Sequence, residues 1–266
     1  MSIPYRETAS DLQTRIDIHQ TYGGKDIDAW MLGILDLAPG SRILDVGCGA
    51  GKQCLAFYRA LRGNAEITGG DVSVELLGEA ERARAREGAT IRYVPLDFNV
   101  PFAFPEASLD LVSCCFAIYY AEDPEFTFRE VHRILKDGGR FFTTGPLPEN
   151  KRLFYEVIQE ATGRAIPPMP GSSRYGSLIL QALQAQFRVV DVHRFENPLR
   201  FETAEPFLAY TRASLSEDRK LWSGLFHGAD DFERVMAQIE AVARKRLNES
   251  EALVMTKVVG GFTAWK

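Results

Sequence analysis

Short apolar runs alternate with helical patterns along residues 26–145. The runs are continuously apolar, which is typical of strands covered on both faces. Alternation of strand and helix indicates a parallel sheet with right-handed crossovers. The predicted strands are 42–46, 66–71, 90–95, 109–115 and 139–144, and the predicted helices are 26–37, 52–61, 73–86 and 125–135, the last stopped by the Gly pair after Asp137.

The last third of the chain has a different pattern, with two further strands separated by a long helical stretch. Together with the first five strands they predict an α/β, Rossmann-like fold: a seven-stranded, mostly parallel sheet with an antiparallel final strand and a helical lid insertion. The late strands are predicted at 188–200 and 253–265, the helices at 151–162, 175–187, 203–214, 217–226 and 230–248, and a loop at 165–175.

This pattern divides the chain into three parts. Residues 1–25 form an N-terminal arm, of which 1–22 are polar, and residues 26–145 form a cofactor-binding core. Residues 146–266 complete the sheet and carry the substrate lid at about 203–248.

Composition and charge narrow the function classes. The 266 residues carry a net charge of −5, which argues against broad nucleic-acid binding because such binding needs a basic face. Neither a membrane-spanning run nor a signal-peptide pattern is present, so we expect a cytoplasmic protein without membrane partners. The four cysteines form no C-x-x-C pair; we expect buried thiols and no metal site.

A glycine turn is the strongest chemical signal. Gly47, Gly49 and Gly51 directly follow the first strand, and a helical pattern begins at Lys52. Strand, glycine turn and helix let a backbone approach a nucleotide-like ligand closely, although a plain structural turn would have the same residues. Asp45, inside the strand, is placed to hold backbone N–H groups or an ammonium group under the turn.

Acidic residues end the next two strands. Asp71 can accept hydrogen bonds from ribose hydroxyls, or it can cap the following helix. Asp97 can read an adenine amino group with Phe98 covering the ring, or it can be an ordinary turn residue.

These segments, in this order, resemble the class I S-adenosylmethionine-dependent methyltransferases, particularly the group related to ubiquinone/menaquinone-biosynthesis methyltransferases. The resemblance covers roughly residues 25–145. The stretches that carry it are 43–51, 70–73, 105–112, 116–120 and 130–139.

The resemblance implies S-adenosylmethionine as cofactor and S-adenosylhomocysteine as product. It places the methionine part on the glycine turn, the ribose on Asp71, the adenine on Asp97 and Phe98, and the sulfonium near the end of the fourth strand. The implied cofactor-binding residues are Asp45, Gly47, Cys48, Gly49, Gly51, Gln53, Asp71, Val72, Asp97, Phe98, Cys115 and Phe116.

Catalytic side chains are harder to assign, because methyl transfer mainly requires alignment of the nucleophile and exclusion of water. Where the family often has His-His, this chain has Tyr119-Tyr120, which removes a possible imidazole base. Candidate bases are His19, Tyr120 and His227, and candidate substrate contacts are Tyr22, Tyr120, Tyr210 and Trp222.

The expected function is methyl transfer to a small-molecule acceptor. Three alternatives stay open: methylation of RNA or protein, a dinucleotide-dependent oxidoreductase, and a cofactor-binding protein without transfer activity. The G-x-G-x-G spacing and Asp45 oppose the oxidoreductase, whose turn is usually G-x-G-x-x-G after an apolar residue.

Overall fold

The computed structural model describes residues 9–217, 223–226 and 231–266. Its centre is a seven-stranded sheet in the order β3-β2-β1-β4-β5-β7-β6, in which only β7 runs antiparallel to its neighbours. The predicted fold class is confirmed. The strands are β1 Ser41–Val46, β2 Ala65–Asp71, β3 Ile91–Pro95, β4 Leu109–Cys115, β5 Leu135–Pro146, β6 Val189–Phe201 and β7 Leu253–Trp265.

Ten α-helices are present in the described ranges, supplemented by 3-10 turns at Ile118–Tyr120 and Ser223–Leu225 and a π-helical turn at Tyr175–Ile179. The α-helices are α1 Ala9–Tyr22, α2 Ile27–Leu35, α3 Lys52–Ala60, α4 Val74–Glu87, α5 Pro124–Ile134, α6 Arg152–Thr162, α7 Pro170–Arg174, α8 Leu180–Gln186, α9 Ala204–Glu217 and α10 Asp231–Glu249. No helix in these ranges combines the length and apolar character needed to cross a bilayer.

Two sequence predictions need correction: the predicted loop at 165–175 contains α7, and the predicted helix stop after Asp137 is wrong. The N-terminal arm contains helix α1, for which no secondary structure was predicted. Helix α5 ends at Ile134 because Leu135 is already extended and pairs with Leu109 of β4. Half of the helix predicted at 217–226, residues 218–222, lies outside the described residues, and Ser223–Leu225 form a 3-10 turn.

The hairpin of β6 and β7 is longer than the rest of the sheet. Val259 pairs with Pro146, the last residue of β5, so residues 253–258 pair only with β6. The free half of the hairpin therefore projects beyond the edge where the parallel strands have their carboxyl ends.

Helices α1, α6, α9 and α10 pack against this projecting half and form a second hydrophobic core, separate from the cores on the two faces of the central sheet. Phe154 of α6, Phe207 of α9 and Ile239 of α10 are fully buried there, and Ile18 of α1 is 8% exposed. The second core thereby places four helices beside the carboxyl edge of the sheet.

Candidate functional site

The glycine turn is fastened to the neighbouring strand. The backbone N–H groups of Gly47 and Cys48 both donate to the carbonyl oxygen of Gly70, at 2.7 and 3.0 Å. Gly47, Gly49 and Gly51 have φ angles of 68°, 53° and 80°, which L side chains rarely adopt. The turn is therefore held at the carboxyl end of β1 against the end of β2.

The three glycines have different neighbours. A Cβ atom on Gly47 would lie 2.6 Å from Cβ of Ala117, and one on Gly51 would overlap the hydroxyl of Tyr93. A Cβ on Gly49 would meet nothing within 4 Å. Gly47 and Gly51 therefore permit close packing inside the protein, whereas Gly49 faces the open space into which a ligand would fit.

Asp71 joins the turn to helix α4. Its Oδ2 accepts a hydrogen bond from Gly49 N at 2.8 Å, and its Oδ1 accepts one from Ser73 N at 2.9 Å. The N-cap of α4 is Ser73, whose Oγ accepts from Leu76 N. The helix-cap alternative for Asp71 is thus excluded, and each of its oxygens keeps a second acceptor position.

Asp45 lies beneath the turn, 2% exposed, and contacts protein groups. Its Oδ1 accepts from Ser113 Oγ at 2.6 Å, and its Oδ2 accepts from the Cys54 thiol at 3.6 Å. Burial raises the pKa of Asp45 to about 7, Asp71 adds to the rise, and the two hydrogen bonds oppose it. In this arrangement Asp45 ties the end of β1 to β4 through Ser113 and to α3 through Cys54.

The residues predicted to hold the adenine and ribose differ in exposure and in their contacts. Val72, directly after Asp71, is 66% exposed although it is a large hydrophobic residue. Phe98 is partly buried, and its carbonyl oxygen accepts from Thr127 Oγ1. Asp97 accepts from both the backbone and the side-chain amide of Asn99, at 2.8 and 2.9 Å, so the turn role predicted as its alternative is present.

Gln53, at the start of α3, is buried at 8% exposure, and its Nε2 has no hydrogen-bond partner among the described residues. A buried amide without a partner is costly, and a bound ligand is one way to satisfy it.

The end of β4 is conformationally unusual. Phe116 has a φ of 58°, and its N–H donates to the carbonyl oxygen of Thr144 at 2.8 Å. A non-glycine residue in the left-handed region costs of order 1 kcal/mol and is common at functional sites. Burial raises the pKa of the adjacent Cys115 well above its ordinary value, so this residue is a neutral thiol.

Lys257 lies over this strained residue. Its Nζ is 5.4 Å from the centre of the Phe116 ring. Burial lowers the pKa of Lys257 to about 8, Lys52 and Arg15 lower it further, and Asp28 opposes the change. Sequence analysis missed Lys257; its only signal was a lone cation within an otherwise apolar strand, Met255-Thr-Lys-Val-Val259.

Two candidates from the arm and the lid lie together. The rings of His19 and Tyr210 meet edge-to-face with centroids 5.5 Å apart, and Lys151 Nζ is 5.8 Å from the Tyr210 ring. Burial lowers the pKa of His19 to about 2, and Lys257, Arg15 and Lys151 contribute in that order. A histidine this weakly basic is a poor proton acceptor in the unliganded protein.

The remaining candidates are dispersed. Tyr22 packs on Phe201 with ring centroids 5.2 Å apart, in the second core. Tyr120 stands in the turn after β4, and its ring lies 4.8 Å from that of Tyr119. Trp222 and His227 lie outside the described residues.

Known proteins share this architecture and part of its sequence. Residues 44–143 match a family described as a methyltransferase domain. A demethylmenaquinone methyltransferase of Thermus thermophilus is 30% identical over 54% of this chain and 64% of that enzyme, just under two thirds of its length. A 27-O-demethylrifamycin SV methyltransferase of Amycolatopsis mediterranei is 27% identical over 73% of this chain and 67% of that enzyme.

A solved structure extends the likeness beyond the matched domain. The crystal structure of the YcgJ protein of Bacillus subtilis superposes with a TM-score of 0.59 at 19% identity, over 90% of this chain and 97% of that one. At this identity the likeness concerns the fold, and it includes the part of the chain after residue 143.

Proposed function

We propose that this chain, a member of the S-adenosylmethionine-dependent methyltransferases, transfers a methyl group from S-adenosylmethionine to a small-molecule acceptor. The observation that carries the proposal is the bond between Asp71 and Gly49 at the carboxyl edge of the sheet. It sits beside the point where the strand order reverses, since β1 lies between β2 and β4. Ligands of open α/β sheets bind in the crevice at such a point.

The residues around that crevice fit the cofactor. Gly49 offers open space for the methionine part, and Gln53 offers a buried amide without a partner among the described residues. Asp71 has acceptor positions left for the two ribose hydroxyls, and the exposed face of Val72 can cover one side of the adenine. Asp97 and Phe98 lie next along the same edge.

We assign the remaining predicted residues by their position in this crevice. Gly47, Cys48 and Gly51 shape the turn, and Asp45 supports it from below through Ser113 and Cys54. Cys115 is the last residue of β4 and Phe116 follows it. We infer that the left-handed conformation of Phe116 directs its ring toward the methyl group that is transferred.

Bound S-adenosylmethionine supplies an electrophilic methyl group on a positive sulfur, so the protein has little covalent chemistry to perform. The chain must hold the acceptor in line with the S–CH₃ bond and exclude water. The projecting hairpin and helices α1 and α9 are the parts of the described structure placed to do this. Tyr22, Tyr120, Tyr210 and Trp222 remain the proposed substrate contacts, and His227 a proposed base.

A small acceptor is favoured over RNA or protein because His19, Tyr210 and Lys257, which lie beside the proposed acceptor position, are buried or partly buried. The two similar methyltransferases described above also support a small acceptor, since one is named for a quinone and the other for an antibiotic. The matched domain also disfavours a dinucleotide oxidoreductase.

Calorimetry with S-adenosylmethionine, S-adenosylhomocysteine, NAD⁺ and NADH tests the proposal. We expect binding of both methionine compounds and of neither dinucleotide. Tight dinucleotide binding with no binding of the methionine compounds would refute it. Incubation with methyl-labelled S-adenosylmethionine and a small-molecule extract, against bulk RNA and denatured protein, then separates the acceptor classes by where the label appears.

A further inference from the structure

The two edges of the central sheet differ in how well they are protected against further pairing. Strand β3, at one edge, has five residues and ends at Pro95. Strand β6, at the other edge, has thirteen residues, and its register with β7 is unbroken from Val189 to Phe201. Short strands and prolines keep an edge from pairing with another chain, whereas a long, regular edge offers a row of unpaired N–H and C=O groups. The outer edge of β6 is therefore the one that can accept a further strand.

The second part of this edge is already covered. Gly23 forms a backbone bridge with Leu199, and the Asn197 side chain accepts from Lys25 N and donates to Lys25 O, at 3.2 and 3.0 Å. In the described ranges, no backbone group of residues 189–196 bonds to any part of the chain other than β7. Every second residue of an antiparallel strand directs its N–H and C=O away from its partner. We call residues 189–196 the open edge.

The side chains of the open edge are unlike those of a protected edge strand. Val189 and Val192 are 53% and 57% exposed, although both are large and apolar. Neither lysine nor proline occurs between residues 189 and 196, and the ladder with β7 has no bulge in that range. These are the devices by which monomeric proteins usually block an edge strand. Their absence from this range favours association of the open edge with a second strand.

Charge indicates that this second strand is another copy of β6. Two copies of an edge strand pair antiparallel across a two-fold axis, and side chains directly opposite each other lie on the same face and interact. When Val192 lies opposite Val192 of the second copy, Asp191 lies opposite the imidazole of His193. Arg188, the exposed residue just before β6, then lies opposite Glu196. In this register both ends of the paired segment join groups of complementary charge.

Neighbouring registers lose this match. With Asp191 opposite its own copy, two carboxylates oppose each other and Arg188 lies opposite Arg194. With His193 at the centre, Asp191 lies opposite the apolar Phe195. With Arg194 at the centre, two guanidinium groups oppose each other. Because like charges directly opposite are destabilising, the register centred on Val192 is the one that the sequence of the open edge selects.

We propose that two copies of this chain associate through the open edge, with Val192 at the two-fold axis, so that the two sheets join into one. The interface uses the same residues on both copies. Because the two β6 strands are antiparallel, the carboxyl edges of the parallel strands point in opposite directions in the two copies. The proposed cofactor sites therefore lie at opposite edges of the joined sheet, and the inference does not depend on the proposed function.

Sedimentation equilibrium of the full chain across a dilution series tests the association. We expect a reversible dimer, which Val192→Lys should weaken roughly tenfold or more because it places two ammonium groups directly opposite each other. The matched control is Val254→Lys, at a valine of β7 that is 46% exposed and lies outside the open edge; it should dimerise like wild type. A wild-type chain that is monomeric throughout, or a Val192→Lys dimer as tight as wild type, would overturn the inference.

Cysteine cross-linking tests the geometry without adding a charge. Residues directly opposite in an antiparallel pair have Cα atoms about 4.5–5.5 Å apart, which is within the range of a disulfide. With diamide as the oxidant, Val192→Cys should form a disulfide-linked dimer. Val254→Cys should not, and neither should wild type, whose four cysteines are buried or partly buried. Equal cross-linking in the two variants, or a dimer in which Val192→Cys does not cross-link, would show that the proposal is wrong.

Charge exchange distinguishes this register from non-specific association. Arg188→Glu and Glu196→Arg each place like charges opposite each other, so each should weaken the dimer, and the double variant should restore it. Glu196 also pairs with Arg194 of its own chain at 2.7 Å, but both side chains are about half exposed, so loss of that pair costs little. If the double variant dimerises no better than the single ones, the proposed register is refuted.

Discussion

Oδ2 of Asp71 accepts a hydrogen bond from the backbone N of Gly49 at 2.8 Å, and this one contact couples the end of β2 to the turn after β1. The same carboxylate holds Ser73 N through its other oxygen. Asp71 is 9% exposed and yet lies at the edge of the sheet. It therefore orders the turn and remains within reach of a ligand bound against Gly49.

Replacement of Asp71 should weaken cofactor binding. Asp71→Ala removes the proposed acceptor of the ribose hydroxyls together with the support of Gly49 N, so we expect a loss of about 2–4 kcal/mol in S-adenosylhomocysteine binding. Ser73→Ala is the control, because it removes the cap of α4 at a cost of about 1 kcal/mol in stability and leaves the carboxylate in place. Calorimetry and urea unfolding measure the two effects. Equal affinities in wild type and Asp71→Ala would refute the ribose assignment.

Two tyrosines with buried hydroxyl groups should respond oppositely to loss of the hydroxyl. The Tyr93 hydroxyl is buried against Gly51 without a partner among the described residues, so Tyr93→Phe should be neutral or stabilise by up to about 1 kcal/mol. The Tyr175 hydroxyl donates to Thr143 O at 2.9 Å, so Tyr175→Phe should destabilise by about 1–2 kcal/mol. Urea unfolding compares the pair. Equal losses in both variants would show that Tyr93 has a partner that the structure does not record.

The carboxyl group of Asp45 should make the free protein less stable as pH rises. Its folded pKa of about 7 is above the unfolded value of 3.8, so the folded state binds the proton more tightly. As the pH rises from 4 to 8, Asp45 loses its proton near pH 4 in the unfolded state and only near pH 7 in the folded state. The free energy of unfolding therefore falls over this range by a contribution on the order of 4 kcal/mol. Asp45→Asn lacks this group, so its stability relative to wild type should increase across that range.

Asp110→Asn provides a control of opposite sign. Although burial opposes it, hydrogen bonds from Lys136 and from Arg42 N lower the pKa of Asp110. Its stabilising contribution is therefore present above pH 3.8 and is lost as the pH falls through the lower folded value. Asp110→Asn should thus be less stable than wild type at neutral pH and approach it in acid. If the stability of both variants relative to wild type changed with pH in the same direction, the raised pKa of Asp45 would be contradicted.

The local parts of this molecule were predictable from sequence. The apolar runs predicted five parallel strands to within a residue or two, except that β5 begins earlier and extends further, and the predicted fold class is confirmed. Residues 44–143 match a methyltransferase domain, as the resemblance implied. Asp71 and Gly49 were identified because residues at the ends of parallel strands share one edge of the sheet. These features depend on spacing along the chain, which a sequence displays directly.

The parts that depend on long-range packing were not predictable. Helix α1 has a weakly amphipathic sequence and gains its partners from α9 and the hairpin, which are nearly 200 residues away. Lys257 lies over Phe116 because β6 and β7 extend beyond the end of β5. The position of Lys257 can be derived from this difference in length only when the register of the strands is known. The same lack of register left the basicity of His19 unpredicted, since its cationic neighbours come from α1 itself, β7 and the residue before α6.

Cofactor binding should order the helices that cover the reacting edge. Helices α1, α6, α9 and α10 share a core with the projecting half of the hairpin, separate from the cores on the two faces of the central sheet, so they can open while those two cores stay intact. The ring of His19 in α1 meets the ring of Tyr210 in α9 edge-to-face, with centroids 5.5 Å apart, so the two helices pack on each other within this cover. Exclusion of water from methyl transfer favours closure of this cover.

Hydrogen exchange followed by mass spectrometry tests this closure. On saturation with S-adenosylhomocysteine we expect slower exchange at residues 47–51, at 71–72, in α1 and in α9. Helices α5 and α8 pack on each other on one face of the sheet, away from this cover, and serve as the internal reference because their exchange should not change. Slower exchange confined to residues 42–120, with α1 and α9 unaffected, would show that these helices are a fixed part of the fold and not a lid.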